Sequence, residues 1–184
     1  MKAGGGHAKG ARWEREVGKS LSLWLTAGER PDIFSRNVLS GGAFTVATKA
    51  GKTSSRMPGD LMAANPLAFA FLSRYMVECK HLKSLSLEYF ILDAGRSSPL
   101  MRIIDLSRSQ ARVAGVEFFI VAKQNQRDPC AIVSVPTGRK LLAAHGKSGR
   151  FVVPPVYHVL HRESLMMFRF GDLLAHAKPH LFLE

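Results

Sequence analysis

A single α/β domain is the architecture this sequence predicts, and three observations predict it. Strand-like and helix-like apolar patterns are interleaved along the chain. No internal repeat or linker divides it. Its 184 residues suffice for one sheet with helices packed around it. Hydrophobic residues at 46% and charged residues at 22% are the balance of an ordinary soluble globular protein.

Each element follows from local pattern. Residues 1–10 are glycine-rich and basic and read as a flexible arm, with residues 11–184 as one domain. Over 11–26, Trp13, Val17, Leu21, Trp24 and Leu25 recur at helical spacing; Gly28 and Pro31 close that helix. Ile33 to Leu39 reads as a strand, Ser40-Gly41-Gly42 as a turn, and Ala43 to Thr48 as a second strand. A basic loop over 49–56 leads to Pro58-Gly59-Asp60, then a strand from Leu61 to Ala64 and an Asn65-Pro66 turn. Leu67 to Leu72 is an apolar run of core-strand length. Arg74 to Leu82, Glu117 to Ala122 and Ala131 to Val135 read as strands, and Asp105 to Ala114 as a helix stopped by Gly115. A second basic loop spans 145–150. Strands over 157–160 and 165–170 and a short helix near Asp172 complete the chain.

Charge is the unusual quantity. Lys and Arg number 26 against 14 acids, a formal net charge of +12. Such an excess favours polyanions, nucleic acid first and an anionic membrane surface second. No apolar run approaches the ~20 residues of a spanning helix, and Met1 to Gly6 shows no apolar signal segment. Cys79 and Cys130 have no metal-ligand spacing and imply no disulfide framework, which suits a reducing cytoplasm. Gly51-Lys52-Thr53 and Gly146-Lys147-Ser148 end like phosphate-binding loops but lack the opening glycine, so ATP use is not indicated. The seven histidines form no arrangement that signals a metal site.

The chemistry concentrates at Glu78-Cys79-Lys80 and at Asp60, eighteen positions earlier. Side chains alternate along a strand, so Tyr75, Val77 and Cys79 share a core face while Glu78 and Lys80 project together from the other. An isolated Glu-x-Lys is usually a solvated ion pair of little consequence. Here Asp60 follows a glycine that permits close backbone approach, and it begins an apolar strand that can lie beside Glu78. Two carboxylates brought together repel unless a divalent cation joins them. Few oxygen ligands, completed by water and phosphate, suit Mg²⁺ or Mn²⁺. Lys80 beside the metal would orient or help deprotonate an attacking water and offset charge on a phosphate.

Two helical residues join this set. At about 100° per residue, Glu14 lies about 50° from the centre of the first helix's apolar stripe, and Glu16 roughly 110° from it. Glu14 is therefore expected to border the buried side and Glu16 to face water. Acids near a helix N-terminus are also favoured for electrostatic reasons alone. Gln110 shares a helical face with Leu106 and Val113, either as a boundary residue or as an amide aimed into a site.

A helix glutamate, then Gly-Asp, then Glu-x-Lys, then a helix with glutamine resembles the PD-(D/E)XK nuclease superfamily. Within it the chain is most similar to the Holliday-junction-resolvase-like and phage-encoded nucleases, over about residues 10–131. The resemblance implies a restriction-endonuclease-like core, a central mixed β-sheet flanked by helices, and Mg²⁺- or Mn²⁺-dependent hydrolysis of phosphodiesters. It implies Asp60, Glu78, Lys80, Glu14 and Gln110 as catalytic residues, with Asp60, Glu78 and Glu14 as metal ligands. One departure is Gly59, standing immediately before Asp60 where the family motif has proline; Pro58 lies one place earlier. Lys123-Gln124-Asn125 also resembles a polar stretch of the phage-type members.

Basic residues around these positions are expected to track a nucleic-acid backbone: Arg36, Lys49, Lys52 and Arg56, then Lys123 and Asn125, then Arg139, Lys140, Lys147 and Arg150. The expected partner is branched or duplex DNA, with a homodimer allowed and no membrane, in the cytoplasm of a bacterial or phage-infected cell. The reading that follows is a structure-directed DNA endonuclease of junction-resolvase type. Alternatives are a restriction-type endonuclease, a recombination exonuclease and, from another class, a non-catalytic nucleic-acid-binding module.

Overall fold

The computed structural model describes residues 5–37, 58–84, 99–143, 157–160 and 165–183. Five helices, α1 (Gly5–Leu25), α2 (Pro66–Leu72), α3 (Pro99–Ala114), α4 (Val135–Ala143) and α5 (Phe170–His176), and a 3₁₀ turn over Pro179–Phe182 surround seven strands among these residues. The strands are β1 (Phe34–Arg36), β2 (Leu61–Ala63), β3 (Tyr75–Leu82), β4 (Glu117–Gln124), β5 (Cys130–Ser134), β6 (Tyr157–Leu160) and β7 (Leu165–Arg169). β1 and β2 pair antiparallel, and the other five form one mixed sheet in the order β3-β4-β5-β7-β6. β3 and β4 are parallel, which requires a crossover, and α3 lies between them in sequence; every other pairing in that sheet is antiparallel. This is the restriction-endonuclease-like α/β core that the sequence predicts.

Strand alternation divides the interior into two layers. On one face Tyr75, Val77, Phe119, Val121, Val133 and Phe168 pack under Trp13, Val17 and Leu21 of α1. The Trp13 indole N–H donates to the Val121 carbonyl at 3.2 Å, pinning α1 to β4. On the other face Met76, Phe118, Ile120 and Ile132 pack under Leu100 and Ile104 of α3. β3 is the edge strand of the sheet, and the β1–β2 pair joins its free edge through Asp60, whose backbone N–H donates to the Val77 carbonyl at 2.8 Å. Gly115 ends α3 at a φ of +69°, the left-handed conformation expected of a helix-stopping glycine.

Several local expectations change. The arm expected over 1–10 is helical from Gly5, and Lys9 anchors its first turns by donating to Asn125 Oδ1 at 2.5 Å. Asn65-Pro66 is not a turn between strands but the start of α2: the Asn65 side chain accepts from the Leu67 N–H at 2.8 Å, and Pro66 takes the first helical position. Leu67 to Leu72 is therefore helix, burying Phe71 and Leu72 while Phe69 faces outward. Val135 opens α4, with Ser134 Oγ accepting from the Thr137 N–H at 3.3 Å. β4 continues past Ala122, so Lys123 and Gln124 are strand residues. The buried stripe of α3 is Leu100, Ile104, Ser107 and Ala111, so Leu106 and Val113 are exposed and Gln110 does not share a core-facing stripe with them. Small Ser107 and Ala111 let the helix lie close to the sheet, which rotates the larger apolar pair outward. The strand expected over 43–48, the Ser40-Gly41-Gly42 turn and both basic loops lie outside the described residues, and with them Lys49, Lys52, Arg56, Lys147 and Arg150.

Candidate active site

Asp60 is delivered by a single strained residue. Gly59 has a φ of +99°, and a Cβ built on it would stand 2.6 Å from the Val77 carbonyl oxygen, so only glycine lets the chain pass this close to β3. The Asn37 side-chain amide donates to the Gly59 carbonyl at 2.9 Å, and the Asn37 backbone N–H donates to the Asp60 carbonyl at 2.8 Å. One side-chain oxygen of Asp60, Oδ2, then accepts from the Cys79 N–H at 2.8 Å. The aspartate is thus fixed at backbone and carboxylate, docked on the edge strand beside the Glu78–Lys80 segment.

Glu78 and Lys80 leave the same face of β3, the face covered further along by Met76 and α3. The Lys80 ammonium pairs with Glu78 Oε1 and stands 4.0 Å from Asp60 Oδ2. Glu14 reaches in from α1, near enough for its charge to act on Glu78, and pairs with the Arg36 guanidinium from β1. The Glu14 side chain is 12% exposed and that of Glu16 42%, so the first helix turns its two acids as the wheel predicts. Glu16 pairs instead with Arg12 at 2.9 Å and approaches Lys123 at 3.9 Å.

Three largely buried carboxylates, Glu14, Asp60 and Glu78, therefore face two cations, Arg36 and Lys80. The imbalance falls on Glu78. Burial and then the neighbouring Asp60 push its carboxyl up to about 7, against the pull of Lys80, and Glu14 adds to the rise. Burial by itself would lower the Lys80 pKa, but Glu78 and Asp60 outweigh it and hold the ammonium form above its ordinary range. Burial, followed by the same acids, raises the Cys79 thiol well above normal, which makes it an inert core residue.

The acids converge on Lys80 and Arg36 rather than on one another. Among the described residues no three His, Cys, Asp or Glu side chains form a ready-made metal cage. The donor set nevertheless fits a hard divalent cation: all its ligand atoms are carboxylate oxygens, their negative charge exceeds the local positive charge, and burial together with Asp60 disfavours the uncompensated charge on Glu78.

Gln110 is half-buried on α3, on the same side of the sheet as Glu78 and Lys80. Lys123 projects from the opposite face, with its ammonium 4.9 Å from the centre of the Trp13 ring, and Asn125 follows just beyond β4. Arg139 and Lys140 are exposed on α4, which packs against β5 and β7 and is not brought to the carboxylates. Asn37, which braces the Gly59 turn, gives no sequence signal, because its partner lies 22 residues away and nothing local marks the pair.

Residues 5–152, more than three quarters of the chain, match the family model described as "phage putative PDDEXK endonuclease". The chain belongs to that family of PD-(D/E)XK endonucleases. A comparison with curated proteins and one with solved structures gave no match. As a PD-(D/E)XK endonuclease the protein is a nuclease, and the family implies DNA as its substrate. No helix among the described residues is long and apolar enough to cross a membrane.

Proposed function

We propose that Asp60, Glu78 and Lys80, with Glu14 beside them, form the active site of a DNA endonuclease that works with Mg²⁺ or Mn²⁺. The supporting observation is geometric: elements separated by more than sixty residues bring these side chains to one edge of the sheet, largely buried, around a lysine 4.0 Å from Asp60. A structural role alone does not account for it, since burying three acids with two cations costs stability unless something further compensates them.

Asp60 and Glu78 would hold the cation, with Glu14 as a third ligand directly or through water. When bound, such an ion supplies Lewis-acid polarisation of the phosphate and acidification of water. The chain's own residues do the rest. Asp60, locked by the Cys79 N–H and the Gly59 turn, cannot swing away from the edge of β3, so it sets the position of the reacting phosphate. Lys80 carries its proton in this acidic surrounding, which suits it as a hydrogen-bond donor from Nζ to the attacking water or to a phosphoryl oxygen where charge accumulates. Glu14 and Arg36 neutralise each other until substrate arrives, and release of Arg36 would offer a guanidinium to a phosphate.

The substrate preference we favour is a branched structure cut in the manner of a junction resolvase, supported by the resemblance above and by the basic surface. Restriction-type and exonuclease modes are alternatives in the same chemistry, and a second copy of the chain would be needed for paired cuts. A non-catalytic binding module is disfavoured, because carboxylates facing phosphate weaken binding and serve no purpose without a metal. The test is a cleavage panel of four-way junction, flap, single strand and linear duplex in Mg²⁺, Mn²⁺, Ca²⁺ and EDTA. Cleavage in Mg²⁺ and Mn²⁺, little in Ca²⁺ and none in EDTA is expected, fastest on the junction. Full activity in EDTA would remove the metal mechanism, and equal rates on all four DNAs would remove the junction preference.

A further inference from the structure

Beyond the carboxylates, at the same end of β3, the opposite face of the sheet carries a second polar site. His81 follows Lys80 directly and points the other way, and its register partner on β4 is Lys123. These two, with Lys9, Arg12, Trp13 and Glu16 of α1, line a cavity of about 380 Å³. Among the described residues His81 Nε2 has no hydrogen-bond partner and is screened from solvent, and the ring stands edge-on to Trp13 with centroids 6.0 Å apart. Among the described residues Glu16 is the one carboxylate lining the cavity, and it is shared between Arg12 and Lys123. Lys9 has only the neutral amide oxygen of Asn125 as its acceptor among the contacts described. Three cations therefore depend on one acid, and burial followed by the charges of Lys9 and Lys123 lowers the His81 pKa.

We infer that this cavity binds an internal backbone phosphate of the DNA, distinct from the phosphate that is cut, with Lys9, Arg12 and Lys123 as its contacts. The chemistry is that of an anion pocket: surplus positive charge set against a wall formed by the Trp13 and His81 rings. Its position selects the anion. Lys80 and His81 are consecutive on the edge strand, and α1 sends Glu14 to one site and Arg12 and Glu16 to the other. A strand seated at the carboxylates thus passes phosphates along this end of β3. A phosphate held there fixes the register of the strand without reading its sequence.

The occupant rests on the nuclease reading, so the test separates binding from cleavage. Affinity for a hairpin-capped duplex, which has internal phosphates only, is measured in EDTA in an Asp60→Asn background. Lys9→Gln/Arg12→Gln and, separately, Lys123→Gln are expected to weaken binding about tenfold and about fivefold. Each lost contact is expected to flatten the slope of log affinity against log salt by about 0.9. Lys123→Arg should retain affinity, and Arg112→Gln, exposed at the end of α3, should match the parent. With Asp60 restored and Mg²⁺ present, the pocket variants should raise KM and leave kcat within twofold. Lys123→Gln uncovers Trp13 and Lys9→Gln removes the Asn125 anchor, so each is read beside its melting temperature; Arg12→Gln alone, at an exposed side chain, gives the same answer without that burden. Unchanged affinity and salt slope, an equal loss in Arg112→Gln, or a loss confined to 5′-phosphorylated linear DNA would overturn the assignment. If Asp60 proves dispensable for cleavage while the pocket variants still lose affinity, the active-site reading fails and the pocket stands.

Discussion

Two clusters of charged side chains lie back to back at the end of one edge strand, and they treat charge in opposite ways. At Lys80 three acids outnumber two cations in a largely buried space, and burial, then the neighbouring Asp60, pushes Glu78 up to about 7. At His81 three cations outnumber one acid, among the described residues, around a cavity open to solvent. The difference lies less in residue type than in desolvation. Charge that is buried acquires reactivity, because its energy depends steeply on a proton or a metal. Charge that stays wet acquires affinity, because it can exchange counterions for phosphates.

The largest expected effect breaks the buried side alone. Asp60→Asn and Lys80→Ala should lower kcat by about a thousandfold or more, roughly 4 kcal/mol in barrier, with melting temperatures that show a folded protein. Wild-type rates in either variant would mean the chemistry lies elsewhere.

Next in size is a pH effect that only the buried side should show. The Glu78 pKa lies above its usual value, so in metal-free protein the folded state holds the extra proton. Stability from this group is fully present below about 4.5 and is lost as pH rises through about 7. Metal binding requires the ionised form, so at low Mg²⁺ activity should fall by up to about tenfold per pH unit below 7. Thermal unfolding in EDTA from pH 4.5 to 8, for wild type and Glu78→Gln, checks the first part. The glutamine variant should gain on wild type as pH rises, and parallel curves would show that Glu78 carries no such strain.

The two acids of α1 divide the sites between them. Glu14→Gln should cost about tenfold in kcat, because a neutral amide is a poorer partner for a hard cation. Glu16→Gln should change kcat by less than about threefold, under ~0.7 kcal/mol, and should tighten DNA binding by freeing Arg12 and Lys123. Steady-state kinetics on both variants, with circular dichroism, decides between this division and a shared role. Equal and negligible effects would leave only the sheet residues as candidates.

What the sequence made legible follows the range of the signal. Glu78 and Lys80 are legible as neighbours because strand geometry puts them on the face opposite Val77 and Cys79, even though Met76 makes that face apolar as well, and Asp60 is legible because it follows a glycine and opens an apolar strand. Glu14 and Glu16 were separable because five large apolar residues define their helix wheel. The face of α3 is not legible because its buried stripe uses Ser107 and Ala111, which carry little hydrophobic weight, while Leu106 and Val113 are exposed. The Asn65-Pro66 pair is ambiguous in sequence, since it suits a turn and an amide cap followed by proline is equally the opening of a helix. The cavity at His81 draws on α1, β3 and β4, and no local pattern could announce it.

The Gly59 turn carries a warning for anyone who edits this protein by consensus. The family motif has proline in this position, and replacing a loop glycine by the common family residue is a routine route to a more stable protein. Here the backbone is at a φ of +99°, while proline is confined near −65°. Any Cβ would strike the Val77 carbonyl that Asp60 also needs as its hydrogen-bond acceptor. Gly59→Pro, the spelling that matches the superfamily motif, would swing the aspartate off the sheet edge. The better-conforming sequence would be the worse nuclease.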